Sequence, residues 1–212
     1  MAQEREFSRE AFPPGAGSGP GYTLAQRISR VFHPIILNMV MFLIVGYYAF
    51  DTATIGLPWA GLCVLMQVVP TTLFYVIRMR QGMYSDEDVS VRQQRNELYL
   101  FGLVTVLVGT AILVPLGLPR AMLALLISAI ALGVVGGLVN MFWKISVHGA
   151  SIAATAMVAL HYARWLGVIV WLCALLVGWA RVRTRNHTPL QVLAGFCAAA
   201  LIVGSVFALL QV

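Results

Sequence analysis

Residues 121–143 read AMLALLISAIALGVVGGLVNMFW, a stretch in which no side chain is charged. A helix rises about 1.5 Å per residue, so roughly 20 apolar residues cross the hydrocarbon of a bilayer. This run is long enough to span one. The pattern repeats in both directions. Upstream lie apolar runs at about Leu98–Leu116, stopped by Gly117–Leu118–Pro119, at Ile55–Ile77, past Pro58 and Pro70, and at Ile35–Phe50. Downstream, the interruption Lys144–Gly149 is followed by a short run at Ala150–Tyr162, then by Trp165–Ala180 and Leu190–Val212. These make seven apolar segments, or six spanning ones if the short fifth does not cross fully. Backbone groups in hydrocarbon must pair internally, which leaves helices or a closed barrel. The runs are continuous rather than alternating, which excludes the barrel. The expected fold is an all-α polytopic transmembrane bundle of six to seven helices. Trp143, Trp165 and Trp179 near segment ends suit membrane interfaces.

Composition agrees. Hydrophobic residues make up 60% of the chain and charged ones 10%, against about 25% charged in soluble domains. Residues 1–30, with Glu4, Arg5, Glu6, Arg9, Glu10 and the run from Pro13 to Pro20, are expected to be a disordered tail and not a signal peptide. Residues 31–212 then form a single membrane domain. Cys63, Cys173 and Cys197 lie in apolar runs and read as buried free thiols. The formal net charge is +6. Its basic residues sit in short connectors, so lipid headgroups or a phosphorylated substrate are the expected partners, not nucleic acid. With seven crossings, one side holds Arg5, Arg9, Arg27, Arg30, Arg78, Arg80, Arg92, Arg95, Lys144, Arg181, Arg183 and Arg185; the other holds Arg120 and Arg164. The positive-inside rule makes the rich side cytoplasmic.

Three polar islands fall on that side: Asp86–Asn96 (DEDVSVRQQRN), Lys144–Ser151 (KISVHGAS) and Arg181–Gln191 (RVRTRNHTPLQ). Each precedes an apolar helix, and helix N-termini favour anions. Arginine supplies bidentate donors for phosphate, and histidine suits nucleophilic and acid–base work near neutral pH. Together they outline a phosphoryl-transfer site, where catalysis is mostly positioning and positive charge.

The third island, Arg181, five residues, His187, three residues, Gln191 and then Val192–Gly195, resembles the third motif of the type 2 phosphatidic acid phosphatase superfamily. Ser146-Val-His148 is similar to that family's second motif, and Arg95-Asn96 lies where its first motif ends. The likeness covers roughly residues 86–200 and points to a divergent bacterial branch. It implies a metal- and cofactor-independent lipid phosphatase, placed in the bacterial inner membrane. On that resemblance His187 is the nucleophile, His148 the general acid and Gln191 the orienting partner of His187. Arg181 and Arg95 clamp phosphate, with Arg92, Lys144, Ser146 and the backbone at Gly149 assisting.

The sequence departs from the family at four positions. Asp88 stands at the first-motif lysine, Asn96 at its proline, Ala180 at the serine before Arg181, and Gln191 at the orienting aspartate. A glutamine can fix the tautomer of His187 but cannot stabilise an imidazolium by charge. Plainer roles stand beside these: Ser146 as a helix cap, Arg183 and Arg185 as headgroup anchors, Asp86–Asp88 as a solvated loop, and His33 as the start of the first helix. Two other functions compete. One is a non-catalytic, lipid-binding or lipid-moving descendant. The other is an intramembrane prenyltransferase holding magnesium diphosphate on Asp86 and Asp88. The latter needs two acidic motifs, and no carboxylate follows Glu97. A homo-oligomer remains open.

Overall fold

Proline and hydroxyl residues set where the helices begin. Pro34 and Pro189 stand in the first turn of their helices, where a missing N–H costs nothing. Ser146 and Thr188 cap theirs, the latter in a reciprocal capping box with Gln191. The computed structural model describes residues 19–212. They form α1 (Tyr22–Val31), α2 (Pro34–Tyr48), α3 (Ala53–Cys63), α4 (Val69–Arg80), α5 (Arg95–Leu113), α6 (Arg120–Phe142), α7 (Val147–Tyr162), α8 (Arg164–Arg183) and α9 (Pro189–Leu210).

A π-helical turn at Val64–Val68 joins α3 to α4, so 53–80 is one continuous span. Pro70 has no N–H to give the carbonyl four residues back, which loosens the helix at this point. Thr71 adds a local bond here, donating its hydroxyl to the Gln67 carbonyl at 3.0 Å. Five spans are long and apolar enough to cross a membrane: 53–80, 92–113, 120–142, 164–183 and 189–210. The pair α1–α2, bent by 43°, makes a sixth if it counts as one. The chain is an all-α polytopic bundle and an integral membrane protein.

The short fifth apolar segment, α7, owes its length to its place. It packs against α2, α8 and α9. Its Gly149, Ala153, Ala154, Ala156 and Ala159 are all buried, and small residues let neighbouring backbones come close. A helix surrounded by protein does not have to match the hydrocarbon thickness. Two glycines matter most to the packing. A Cβ on Gly56 would lie 2.0 Å from the Gly46 carbonyl, where α2 and α3 meet. A Cβ on Gly195 would lie 2.6 Å from the Ser146 carbonyl, so only glycine lets α9 reach the start of α7. The core, with Val45, Met122, Leu125, Leu126, Val158, Val203 and Phe207, ties α2, α6, α7 and α9 together. Leucines on α5 and α8, such as Leu100, Leu107, Leu172 and Leu175, face outward, as lipid-facing positions do.

Two expectations change. Residues 22–30 are not disordered: α1 buries Ala25 and Ser29, with Ile28 and Phe32 against Ala174 and Val177 of α8. Arg183 holds its start by donating to the Pro20 carbonyl at 2.8 Å. The physical reason is the helical spacing of Ala25, Ile28 and Phe32, which gives the segment an apolar stripe to bury. The rest of the expected tail, up to residue 18, lies outside the described residues. The cysteines are free, but only Cys63 is buried; Cys173 is half-buried and Cys197 is exposed.

Candidate functional site

Hairpin connections bring the three polar islands to one end of the bundle, and hydrogen bonds stitch them together. The Ser146 N–H donates to the Gln191 carbonyl at 3.2 Å, joining the starts of α7 and α9. Lys144 Nζ donates to the Asn186 carbonyl at 2.7 Å. Ser90 Oγ donates to Asn186 Oδ1 at 3.0 Å, and Arg95 Nη1 to the Ile145 carbonyl at 3.2 Å. The α1–α2 bend joins the same cluster: the ring of His33, which caps α2, meets that of His148 edge-on at 5.5 Å.

His187 is almost fully buried just before α9. Its Nδ1 lies 3.1 Å from Gln191 Oε1. That oxygen also accepts the Thr188 N–H at 3.1 Å. An atom that accepts a backbone N–H is the amide oxygen, so His187 Nδ1 must carry the proton and Nε2 the lone pair. Burial, then the charges of Lys144, Arg95 and Arg181, push the His187 pKa down to about 2. The imidazole is therefore neutral at ordinary pH, the form in which it can attack phosphorus. Gln191→Glu keeps both hydrogen bonds and adds the charge a glutamine lacks. It is expected to raise the His187 pKa, read by NMR titration, because a carboxylate beside Nδ1 favours the imidazolium.

Arg181, at the end of α8, is fully buried. Its Nη1 donates to Asp88 Oδ1 at 2.9 Å, while Nε and Nη2 have no partner among the described residues. Orphaned donors of a buried cation are costly, and an oxyanion is what satisfies them. His148 is buried in the first turn of α7, its Nε2 likewise without a hydrogen-bond partner and 3.7 Å from the same Asp88 oxygen. Asp88 thus brings His148 and Arg181 together, and the His187 backbone N–H donates to the Arg181 carbonyl at 3.2 Å.

Arg92, Gly149, Ser146 and Arg95, which the resemblance assigns to phosphate, make other bonds, Ser146 as the helix cap that was its plainer reading. Arg92 does not face the pocket: its guanidinium donates to the carbonyls of Asn140, at 2.6 Å, and Met141, and so closes the C-terminus of α6. The Gly149 N–H is not free for an anion, because it donates to Ser146 Oγ at 3.2 Å; its small size instead suits the α7–α9 contact, where a Cβ would lie 3.3 Å from the Val192 carbonyl. Ser146 is that cap, fully buried, with its hydroxyl proton left to donate. Arg95 is buried and places three of its donors on the carbonyls of Val89, Ile145 and Asp88. It holds the loop rather than an open anion seat. Lys144 stays at the pocket, half-buried.

Three further residues join the site: Asp88 and His33, for which a place there stood as the lesser reading, and Asn186, which had none. Asp88 does not sit in a solvated loop but on Arg181. Asn186 donates Nδ2 to Asp88 Oδ2 at 2.7 Å. His33 meets His148 edge-on. One sequence signal points to Asp88: a buried arginine needs a counter-ion, and with no carboxylate after Glu97 the supply comes from upstream. The loop shows strain. Val89, β-branched and buried, has φ of 47°, a conformation that costs on the order of 1–3 kcal/mol and collects at functional sites. Among protein-family models, curated proteins and solved structures, none matches this chain.

Proposed function

We propose that the chain is a membrane-embedded phosphatase that hydrolyses a lipid phosphate or prenyl (pyro)phosphate through a phosphohistidine on His187. The observation that carries this is the pairing of a neutral, tautomer-locked His187 with a buried Arg181 whose remaining donors have no partner. In this reading His187 Nε2 forms a bond to phosphorus while the bond to the lipid oxygen breaks. His148, whose pKa burial and then Arg181 hold well below the usual value, takes up a proton from water when the anionic substrate binds and gives it to that oxygen. Water then attacks the phosphohistidine, losing a proton to His148, and releases phosphate. Arg181 neutralises the charge that spreads over the phosphoryl oxygens. The resemblance of the second and third islands to the type 2 phosphatidic acid phosphatases supports the same roles. It also suggests the bacterial inner membrane; the positive-inside rule, against the outward-facing site of familiar bacterial members of that superfamily, puts the arginine-rich face in the cytoplasm.

A cavity of about 220 Å³ lies deeper in the bundle, apart from His187 and Arg181, and offers room for part of a lipid chain. It starts one turn beyond Arg95, at Leu98 and Tyr99, and continues past Leu103 and Val106 between α2, α4, α5 and α6. Its walls are mostly apolar, as a slot for an acyl or prenyl chain must be.

The test is phosphate release by the purified protein in detergent, across a panel of prenyl and diacylglycerol phosphates without added metal. Release that survives chelation supports the hydrolase. Release abolished by chelation favours magnesium chemistry of the prenyltransferase type. Bound lipid with no release favours the second reading, a lipid-binding or lipid-moving descendant, which the seating of Asp88 on Arg181 supports.

Lys144 gives a pH dependence. Burial first, then Arg95 and Arg181, lower its pKa to about 7. A bound phosphate restores the proton, so binding takes up a proton above that pH. Affinity for inorganic phosphate is expected to fall up to about tenfold per pH unit above pH 7. In Lys144→Arg, which stays charged, titration calorimetry between about pH 7 and 9 is expected to show a nearly flat profile.

A further inference from the structure

We propose that Asp88 is a built-in competitor for the anion site, holding the place on Arg181 that a phosphate must take, and that the 85–90 loop is the gate that withdraws it. This rests on the reading of Arg181 as the phosphate-binding group. Every group that Asp88 holds is one a phosphate would use. Oδ1 accepts from Arg181 Nη1 at 2.9 Å and lies 3.7 Å from His148 Nε2, and Oδ2 accepts from Asn186 Nδ2 at 2.7 Å. Carboxylate and phosphate are both oxyanions that take paired donors from a guanidinium. Withdrawing Asp88 would leave Arg181 Nη1 beside its two unpartnered nitrogens, with the Asn186 amide and the His148 ring facing the same space.

The loop is built to carry the carboxylate as a unit. Asp86 closes it, accepting from the N–H groups of Asp88 at 2.9 Å and Ser90 at 3.2 Å, and from Ser85 Oγ at 2.9 Å. Bonds from outside hold the closed turn down: Arg95 donates to the Val89 carbonyl at 2.7 Å and the Asp88 carbonyl at 3.3 Å, Tyr75 Oη to the Glu87 carbonyl at 2.8 Å, the Ser85 N–H to Gln94 Oε1 at 3.1 Å, and Ser90 Oγ contacts Asn186 Oδ1 at 3.0 Å. The Asp88 side chain keeps 26% of its surface exposed, whereas Arg181 has none. The carboxylate enters from the water side and can return there. The positive φ of Val89 is a strain that belongs to the seated loop and that opening can relieve.

Such a competitor also sets specificity by charge. A carboxylate that stays near the pocket after leaving Arg181 repels a diphosphate more than a phosphate. Removing its charge should help the more highly charged ligand more.

The experiment is calorimetric titration of the full chain in detergent with inorganic phosphate and inorganic diphosphate. It compares wild type, Asp88→Asn, Ser90→Ala and Asp88→Asn/Arg181→Met. Asp88→Asn is expected to tighten phosphate by about tenfold or more, and diphosphate by a larger factor. Ser90→Ala removes the hydroxyl shared between Asp86 Oδ1 and Asn186 Oδ1, each at 3.0 Å, without touching Arg181, so it should loosen the loop and tighten both severalfold, and it decides the matter if Asp88→Asn fails to fold. Adding Arg181→Met should abolish the gain. Unchanged or weaker binding in both Asp88→Asn and Ser90→Ala overturns the proposal, as does a gain that survives Arg181→Met. Tighter phosphate binding with no hydrolysis of any lipid phosphate keeps the competitor and removes the phosphatase reading. Hydrolysis by wild type, with affinity lost in Asp88→Asn, keeps the phosphatase and removes the competitor.

Discussion

His187→Ala is expected to abolish phosphate release, with a loss of at least about 10⁴-fold, the scale on which removing a covalent nucleophile acts. The variant should still fold. His187 stands outside the helices, just before α9, and the capping box between Thr188 and Gln191 that starts the helix does not need the ring. The measurement is a single-turnover assay with a radiolabelled lipid phosphate, quenched in base to preserve phosphohistidine. Wild type should show transient labelling of the protein and the alanine variant none. If the variant releases phosphate at the wild-type rate, covalent catalysis at this residue is wrong. His148→Ala should separate from it: a missing general acid slows leaving-group departure by about 10²–10⁴-fold but leaves the nucleophile able to capture phosphate from a substrate with a good leaving group.

The second large effect concerns Arg181 and reaches stability as well as function. A fully buried guanidinium with two unpartnered nitrogens is a poor way to hold a membrane bundle together. Replacing a buried ion pair by neutral groups of similar volume is often neutral or stabilising by about 1–4 kcal/mol, while removing one partner alone is costly. Arg181→Met/Asp88→Asn takes away both charges, so its resistance to thermal unfolding in detergent should equal or exceed that of wild type. Its affinity for inorganic phosphate should fall, and its phosphate release should fall by about 10²–10³-fold, the range seen when a transition-state donor is lost. A double variant that unfolds readily would mean that the pair is structural. A stable and inactive one would mean that the protein carries an awkward charge in order to bind an anion.

The bundle itself could be read in advance from uninterrupted apolar runs, because hydrocarbon imposes one rule everywhere: every backbone group must find its partner within a helix or a closed barrel. Helix starts were also legible, since Pro34, Ser146 and the Thr188–Gln191 pair act on the nearest turn. α1 was not, because its stripe of Ala25, Ile28 and Phe32 has value only against Ala174 and Val177 of α8. The joining of the second and third islands followed from their place at the ends of α6–α7 and α8–α9. Roles inside the pocket followed less well. Arg92, Arg95 and Gly149 are residues suited to phosphate, yet the α6 carbonyls, the loop carbonyls and the Ser146 cap claim their donors first.

By itself, then, the order of residues determined that this chain is helical and lies in a membrane, and that its basic and histidine-bearing connectors share one end. Those properties depend on hydropathy and on neighbours a turn or a hairpin away. Only the tertiary structure decided which donors are spent and which are left over. It placed Asp88 on Arg181 across 93 residues, left the Arg181 Nε and Nη2 atoms unpartnered, and turned Gln191 Oε1 toward His187. Hydrogen bonds are short and directional, so their allocation among competing groups is settled by where the backbone puts each atom.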